Sequence, residues 1–121
     1  RFPPLVHPAA TVARNAALGD GAQIMAGTVV QPNCRIGAFA VINTGANVDH
    51  DSSIGAGSHV APGATLCGSV AIGEAAYVGA GATVVNNKIL GDRVLVTAGA
   101  VVISDATAGS RLTGNPAKAN T

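Results

Sequence analysis

A strict six-residue period governs almost the whole chain. Every sixth residue from Val6 to Val102 is Val, Ile or Leu, and no insertion interrupts the series. Four residues after each of these comes a second column of mostly small residues, in which Lys88 is the one clear exception. A helix would place apolar residues at three- and four-residue steps, and an ordinary strand would alternate. The period is therefore typical of neither, and it indicates a repeat architecture.

The period of six predicts short straight segments joined by tight corners. The aliphatic residue points inward from each segment, the small residue fits inside the bend, and Gly or Asn supplies the positive φ that a corner needs. Three segments close a triangular coil of eighteen residues. Because one coil cannot bury its own faces, coils must stack and the aliphatic columns become continuous ladders. Seventeen hexads at three per coil give about six coils, roughly 27 Å tall at the strand spacing of ~4.8 Å.

Composition supports a narrow prism and excludes several classes of function. Apolar residues make up 48% of the 121, too many for intrinsic disorder, and aromatic residues only 2%. The net charge is +1, with no basic run or aromatic platform for nucleic acid. Polar residues interrupt every apolar stretch well before the roughly 20 residues that a bilayer requires, so we expect no membrane partner. Two cysteines without a C-x-x-C motif, and no signal peptide, predict buried inert thiols at Cys34 and Cys67 in a cytoplasmic protein.

The hexad pattern fails after Asp105. The following residues include Gly109, Gly114 and Pro116, which predicts a short irregular tail that leaves the prism. We therefore divide the chain into a repeat domain, residues 1–106, and a C-terminal tail, residues 107–121. The first residue is Arg1 rather than Met, which leaves two alternatives open: a piece of a longer protein, or a protein that consists of the repeat domain and tail without a further module.

One segment departs from the small, neutral residues of the other outward positions. Asp49, His50 and Asp51 place an imidazole between two carboxylates, and His50 can project outward because it lies two residues after the inward Val48. A nearby carboxylate raises the basicity of an imidazole, which makes a workable general base near neutral pH. An exposed histidine with solvated aspartates is the alternative, and the spacing alone leaves both open.

The positions of the other two histidines, His7 and His59, are weaker indications of a functional site. His59 follows His50 by nine residues, which is half a coil, so the two should lie on opposite sides of one prism and could meet only if another subunit brought its own copy alongside. His7 lies beside Pro8 in the first segment. Three histidines permit a zinc hypothesis, but the nine-residue gap fits it poorly, and we predict no metal site.

Several short motifs resemble those of a known enzyme group. They are Asn43-Thr44, His50-Asp51, Ser58-His59-Val60, Gly68, Gly79-Ala80, Ala98-Gly99 and the closing Gly114-Asn115-Pro116-Ala117-Lys118. The period resembles the hexapeptide-repeat proteins, whose fold is the left-handed parallel β-helix. The motifs resemble the bacterial acetyltransferases of this fold that modify nucleotide-linked amino sugars or sialic acid, above all the bacillosamine-pathway group.

The resemblance implies direct acetyl transfer from acetyl-CoA to an amine or hydroxyl. His50 matches the family's catalytic base. Asp51 matches the acidic residue that supports it, although the bacillosamine enzyme has Glu there. His59 matches the histidine that contacts the acetyl group, and Gly68 matches a glycine whose N–H can face the oxyanion.

Cofactor binding is implied for further positions. Ala80 and Ala98 match sites where the main chain holds the pantetheine arm of acetyl-CoA. The phosphates of CoA need cations, and the tail residues Arg111 and Lys118, with Arg93, are candidates; simple solubility is the alternative.

Family members are homotrimers with acetyl-CoA in a cleft between neighbouring prisms, and we expect the same here. They also carry an N-terminal sugar-nucleotide domain, which is absent from these 121 residues. A related acyltransferase for another small acceptor, and a non-catalytic trimeric scaffold, stay open as alternatives.

Overall fold

A computed structural model describes residues 1–120, so Thr121, the last residue of the predicted tail, lies outside the described part. These residues form seventeen two-residue strands and a terminal pair of four-residue strands, with no helix among them. The strands are β1 Leu5–Val6, β2 Thr11–Val12, β3 Ala17–Leu18, β4 Gln23–Ile24, β5 Val29–Val30, β6 Arg35–Ile36, β7 Val41–Ile42, β8 Asn47–Val48, β9 Ser53–Ile54, β10 His59–Val60, β11 Thr65–Leu66, β12 Ala71–Ile72, β13 Tyr77–Val78, β14 Thr83–Val84, β15 Ile89–Leu90, β16 Leu95–Val96, β17 Val101–Val102, β18 Arg111–Gly114 and β19 Ala117–Asn120.

Every third strand pairs in parallel, which builds three sheets. The first face runs β1-β4-β7-β10-β13-β16-β18-β19, the second β2-β5-β8-β11-β14-β17, and the third β3-β6-β9-β12-β15. Partners along each face lie eighteen residues apart, as in Leu5 with Gln23. The predicted three-sided coil and the stack of about six coils are thus confirmed. The left-handed sense of the coil stays a prediction from the family resemblance.

The aliphatic ladder fills the interior as predicted. Its central members, such as Ile42, Val48 and Leu66, are completely buried, and so are the small corner residues beside them. Burying one such aliphatic side chain contributes roughly 1.5–3 kcal/mol before entropic costs. Val6, at the open lower end, is 44% exposed because no coil lies beneath it.

Two kinds of residue make the corners. From Gly21 to Gly99, the third residue after each inward aliphatic has a positive φ. Glycine occupies seven of these fourteen sites, and Phe39, Ala75 and Arg93 are among the residues that adopt the same conformation. The glycines directly after the third-face aliphatics have another cause. A Cβ on Gly37 would lie 2.6 Å from the Ala56 nitrogen of the next coil, so close stacking excludes any side chain there.

The last described residues form regular strands, and the prediction of an irregular tail that leaves the prism is wrong for them. β18 pairs in parallel with β16 on the first face and in antiparallel with β19, and Leu112 is buried. The cause is a corner shortened by two residues. Ala106 takes the ladder position beside Leu90 only four residues after Val102, and Leu112 follows six residues later.

Candidate active site

The three faces meet at corners, and His50 occupies the one between the second and third faces, hereafter the His50 corner. The Nδ1 atom of His50 lies 2.9 Å from Oδ2 of Asp51, and both side chains are more than half exposed. Asp51 is the corner residue with positive φ. On the other flank, the His50 N–H donates to Oδ1 of Asp49 at 2.7 Å. The predicted pair of His50 and Asp51 is therefore in direct contact.

Gly68 stacks one coil above His50 and leaves room for its ring. A Cβ on Gly68 would lie 2.6 Å from both Cε1 and Nε2 of the imidazole. The family resemblance suggested a main-chain role for this glycine; the contact with the imidazole is a steric role that sequence reasoning missed. Within residues 1–120, the Gly68 N–H has no hydrogen-bond acceptor.

Electrostatics make His50 a stronger base than an ordinary histidine. The hydrogen bond with Asp51 raises the pKa of His50 above its usual value, the charges of Asp49 and Asp51 add to this, and partial desolvation opposes it. With Nδ1–H donating to the carboxylate, the neutral ring carries its lone pair on Nε2. That atom is the one that could accept a proton from a substrate.

His59 lies on the first face with a separate set of partners. Its Nε2 is 3.1 Å from Nδ2 of Asn43, and the Thr44 N–H donates to Oδ1 of the same amide at 2.7 Å. The amide is thereby oriented so that its NH₂ group donates to Nε2, which leaves the proton of the neutral ring on Nδ1. Tyr77 packs its ring edge against the imidazole, with centroids 5.3 Å apart. Sequence reasoning gave neither Asn43 nor Tyr77 a role, although Tyr77 follows His59 by one full coil.

The predicted residues form two groups on opposite sides of one prism. His50, Asp51 and Gly68 share the His50 corner, which lies across the prism from the first face that carries His59. Ala80 and Ala98 stack at the corner between the first and second faces, where the Gly99 N–H donates to the Ala80 carbonyl at 2.9 Å. One copy of the chain does not bring His50 and His59 together.

A column of outward side chains begins at His59 and runs along the first face toward the C-terminal end of the prism. By strand register it continues through Tyr77 and Leu95 to Arg111. Three strand spacings of ~4.8 Å put Arg111 about 14 Å above His59. The guanidinium thus stands at the far end of a partly apolar track that begins at an imidazole.

Other candidate residues have structural partners. Nδ1 of His7 accepts the Ala9 N–H at 2.9 Å. Cys34 is buried, and burial raises the pKa of its thiol, whereas Cys67 is only half-buried, contrary to the prediction for both. Among residues 1–120, no three His, Cys, Asp or Glu side chains lie close enough to hold a metal ion. No helix in this part of the chain is long and apolar enough to cross a membrane.

Comparison with known proteins agrees with this geometry. Residues 9–44 match the family described as bacterial transferase hexapeptide (six repeats). The six-residue period of this chain is similar to that of the family. No curated protein matches it significantly.

Several solved structures superpose on almost the whole of this chain. A GDP-perosamine N-acetyltransferase variant from Caulobacter crescentus, with CoA and GDP-perosamine, is 38% identical at a TM-score of 0.98 and is matched over 99% of this chain and 57% of its own. The acetyltransferase domain of PglB from Neisseria gonorrhoeae, with acetyl coenzyme A, is 40% identical at 0.97, over 99% and 58%. WeeI from Acinetobacter baumannii is 31% identical at 0.91, over 95% and 57%. The resemblance to this group of acetyltransferases is confirmed, and the chain spans under three fifths of the length of these proteins.

Proposed function

We propose that this chain is an acetyltransferase that moves the acetyl group of acetyl-CoA to the amino group of a nucleotide-linked sugar. The observation that carries the proposal is the exposed His50 imidazole, hydrogen-bonded to Asp51 at 2.9 Å and accommodated by a glycine. The similar Caulobacter protein has been solved with both CoA and GDP-perosamine, and the Neisseria domain with acetyl coenzyme A. Acetyl coenzyme A is the proposed acetyl donor, and GDP-perosamine is a model for the acceptor.

The proposed reaction is a direct transfer without a covalent enzyme intermediate. Nε2 of His50 takes a proton from the acceptor amine as its nitrogen attacks the thioester carbonyl. The C–N bond forms, the C–S bond breaks, and CoA leaves as a thiol that recovers the proton. Asp51 stabilises the imidazolium that exists in between. A positioned general base typically contributes about 10²–10⁴-fold to the rate.

The developing oxyanion needs donors. Gly68 lies against the His50 ring and its N–H has no acceptor within the described residues, so this N–H is the proposed donor to the carbonyl oxygen of the bound acetyl group. His59 is proposed to contact the acetyl group through Nδ1–H, because Asn43 occupies its other ring nitrogen. Both donors are neutral and held in place before the reaction.

A second copy of the chain completes the proposed site. His50 and His59 lie on opposite sides of one prism, so a base and an acetyl-binding histidine can face each other only across an interface between copies. We therefore propose a homotrimer with acetyl-CoA between neighbouring prisms. Each interface then holds the His50 corner of one copy against the first face of the next.

The order of the coils along the prism suggests where each part of acetyl-CoA would lie. With the acetyl group at His59, the pantetheine arm would climb past the main chain of Ala80 and Ala98, which lie one coil apart. The phosphates would reach Arg111 and Lys118 at the upper end, where β18 and β19 pair. Residues 1–106 thus supply the transfer site, and the segment from residue 107 onward contributes to CoA binding.

An amine is the proposed acceptor because perosamine is the sugar in the similar complexes. Hydroxyl transfer, and sialic acid as acceptor, are the alternatives within the same chemistry. The family's N-terminal sugar-nucleotide domain is not among these residues, so we expect weak acceptor binding by this chain alone. The free thiols of Cys34 and Cys67 suit the reducing cytoplasm, which is the proposed location.

The test is an assay of CoA release and acetylated product with acetyl-CoA and a panel of acceptors. GDP-perosamine, UDP-linked amino sugars, their hydroxyl counterparts and sialic acid form the panel. We expect transfer to an amino sugar that is lost in His50→Ala and kept in His7→Ala, since His7 is an exposed histidine with only a local main-chain contact. Equal activity of the two variants would refute the role of His50. Failure of every acceptor, with no binding of acetyl-CoA at millimolar concentration, would favour the scaffold alternative.

A further inference from the structure

The corners of the prism differ in how the main chain closes them. At the corner between the first and second faces, the inward small residue donates its N–H to the carbonyl three residues earlier in all six coils, at 2.9–3.4 Å. At the His50 corner, the described residues show this bond only in the first coil, from Ala16 to Ala13 at 3.0 Å. The segment that carries His50 and Asp51 therefore lacks the main-chain bond that closes every turn between the first and second faces.

Main-chain bonds tie this segment to its neighbouring coils, from the Asp51 N–H to the Pro32 carbonyl at 3.0 Å and from the Ser69 N–H to the His50 carbonyl at 2.8 Å. Two buried side chains add further bonds. Sγ of Cys34, one coil below, lies 3.0 Å from the carbonyl oxygen of Asp49. Oγ of Ser52 accepts the Val70 N–H, one coil above, at 3.1 Å. Both side chains are at most 1% exposed. One bond anchors the residue before His50, and the other anchors the residue after Asp51.

We propose that Cys34 and Ser52 are positioning residues for His50. Neither can touch a substrate, because both are buried inside the prism. Their bonds add to the main-chain bonds at the two ends of the segment from Asp49 to Ser52, where the turn closure is missing. They hold the imidazole between Asp51 and Gly68, where Nε2 is presented outward. This role rests on the proposed function, in which His50 is the base.

The prediction for activity is a loss of rate with little change in cofactor binding. Cys34→Ala and Ser52→Ala should each lower kcat about tenfold, because displacements of a reacting group by around 1 Å cost up to about 10²-fold. The Kd for acetyl-CoA should stay within twofold. Cys34→Ser should restore kcat, since a hydroxyl can donate to the Asp49 carbonyl.

The matched control is Val94→Ala. Val94 holds the same inward corner position at the corner between the third and first faces, and its coil also lacks the closing bond there, among the described residues. Its truncation loosens the prism without touching the His50 corner. It should leave kcat within twofold of wild type.

A second measurement separates this proposal from the proposed function. The ring protons of His50, followed by NMR from pH 5 to 9, report its pKa without any substrate. The charged groups that face His50 are Asp49 and Asp51, and weakening their contact should move this pKa down toward the ordinary value in both alanine variants but not in Val94→Ala. An unchanged pKa in Cys34→Ala and Ser52→Ala, or an equal fall of kcat in Val94→Ala, overturns the positioning role. Absence of acetyl transfer in the wild-type chain overturns only the proposed function, because the titration still decides the positioning role.

Discussion

Replacing Gly68 by alanine should lower the rate of acetyl transfer strongly while leaving the free energy of unfolding almost unchanged. The main chain of Gly68 is not in the left-handed region, so it accepts an L-residue without strain. The new Cβ would lie 2.6 Å from Cε1 and Nε2 of His50, whereas ordinary contacts are 3.4–4 Å. To reach an ordinary contact, the imidazole must therefore retreat by 3.4 − 2.6 = 0.8 Å at the near limit and by 4.0 − 2.6 = 1.4 Å at the far limit. A displacement of around 1 Å at a reacting group can cost about 100-fold in rate.

The stability of Gly68→Ala should stay within about 1 kcal/mol of wild type, because the exposed imidazole can swing into solvent and alanine restricts the unfolded chain. The assays are acetyl-CoA-dependent thiol release for kcat and urea denaturation for the free energy of unfolding. Asn86→Ala is the control, since Asn86 is exposed and follows Gly68 by one coil at the same corner. A kcat within twofold of wild type, with the pKa of His50 unchanged, would refute the reasoning.

The remaining predictions concern charge and assembly. Asp51→Asn should lower the pKa of His50, so the rising limb of kcat/KM against pH moves to lower pH and its plateau falls. The Asp51 contact raises the folded-state pKa of His50, so its stabilising contribution is full below the ordinary pKa of about 6.5 and is lost as pH rises through the raised value. Denaturation should therefore show a larger loss for Asp51→Asn at pH 6 than at pH 8. Arg111→Ala should weaken acetyl-CoA binding at low salt, with the difference shrinking at high salt in calorimetry because ions screen phosphate contacts. The native mass should be about 35 kDa, three times 11.7 kDa, and a mass near one chain would exclude the shared site.

Much of the fold could be predicted because each coil repeats one local solution. The spacing of Val6, Val12 and Leu18 gives the number of residues in each face. The position of the next coil follows because each coil must stack on its neighbour to bury its aliphatic residues. The tail was missed for an equally local reason. The corner after Val102 loses two residues, so the count of six fails although the ladder resumes at Ala106 and Leu112. Deletion of residues 107–121 would therefore expose part of the ladder, and Arg111→Ala is the cleaner test of CoA binding.

The site was predictable where its partners are neighbours in sequence. His50 and Asp51 are adjacent, so their contact follows from the spacing alone. Asn43, Tyr77 and Gly68 reach the histidines from coils below or above, and these contacts depend on how each ring leans along the prism axis. A six-residue period specifies which residues face outward, but it does not specify the rotamers that bring them together.

Mixed assemblies test the shared acetyl-transfer site most directly. His50→Ala and His59→Ala chains, unfolded together in equal amounts and refolded, would place an intact His50 corner against an intact His59 face at about one quarter of the interfaces of a symmetric trimer. Each variant refolded alone gives the baseline. We predict that the mixture transfers acetyl to the acceptor well above both baselines, in proportion to that fraction. A mixture no more active than the average of the two separate variants would contradict a site formed by His50 of one copy and His59 of the next.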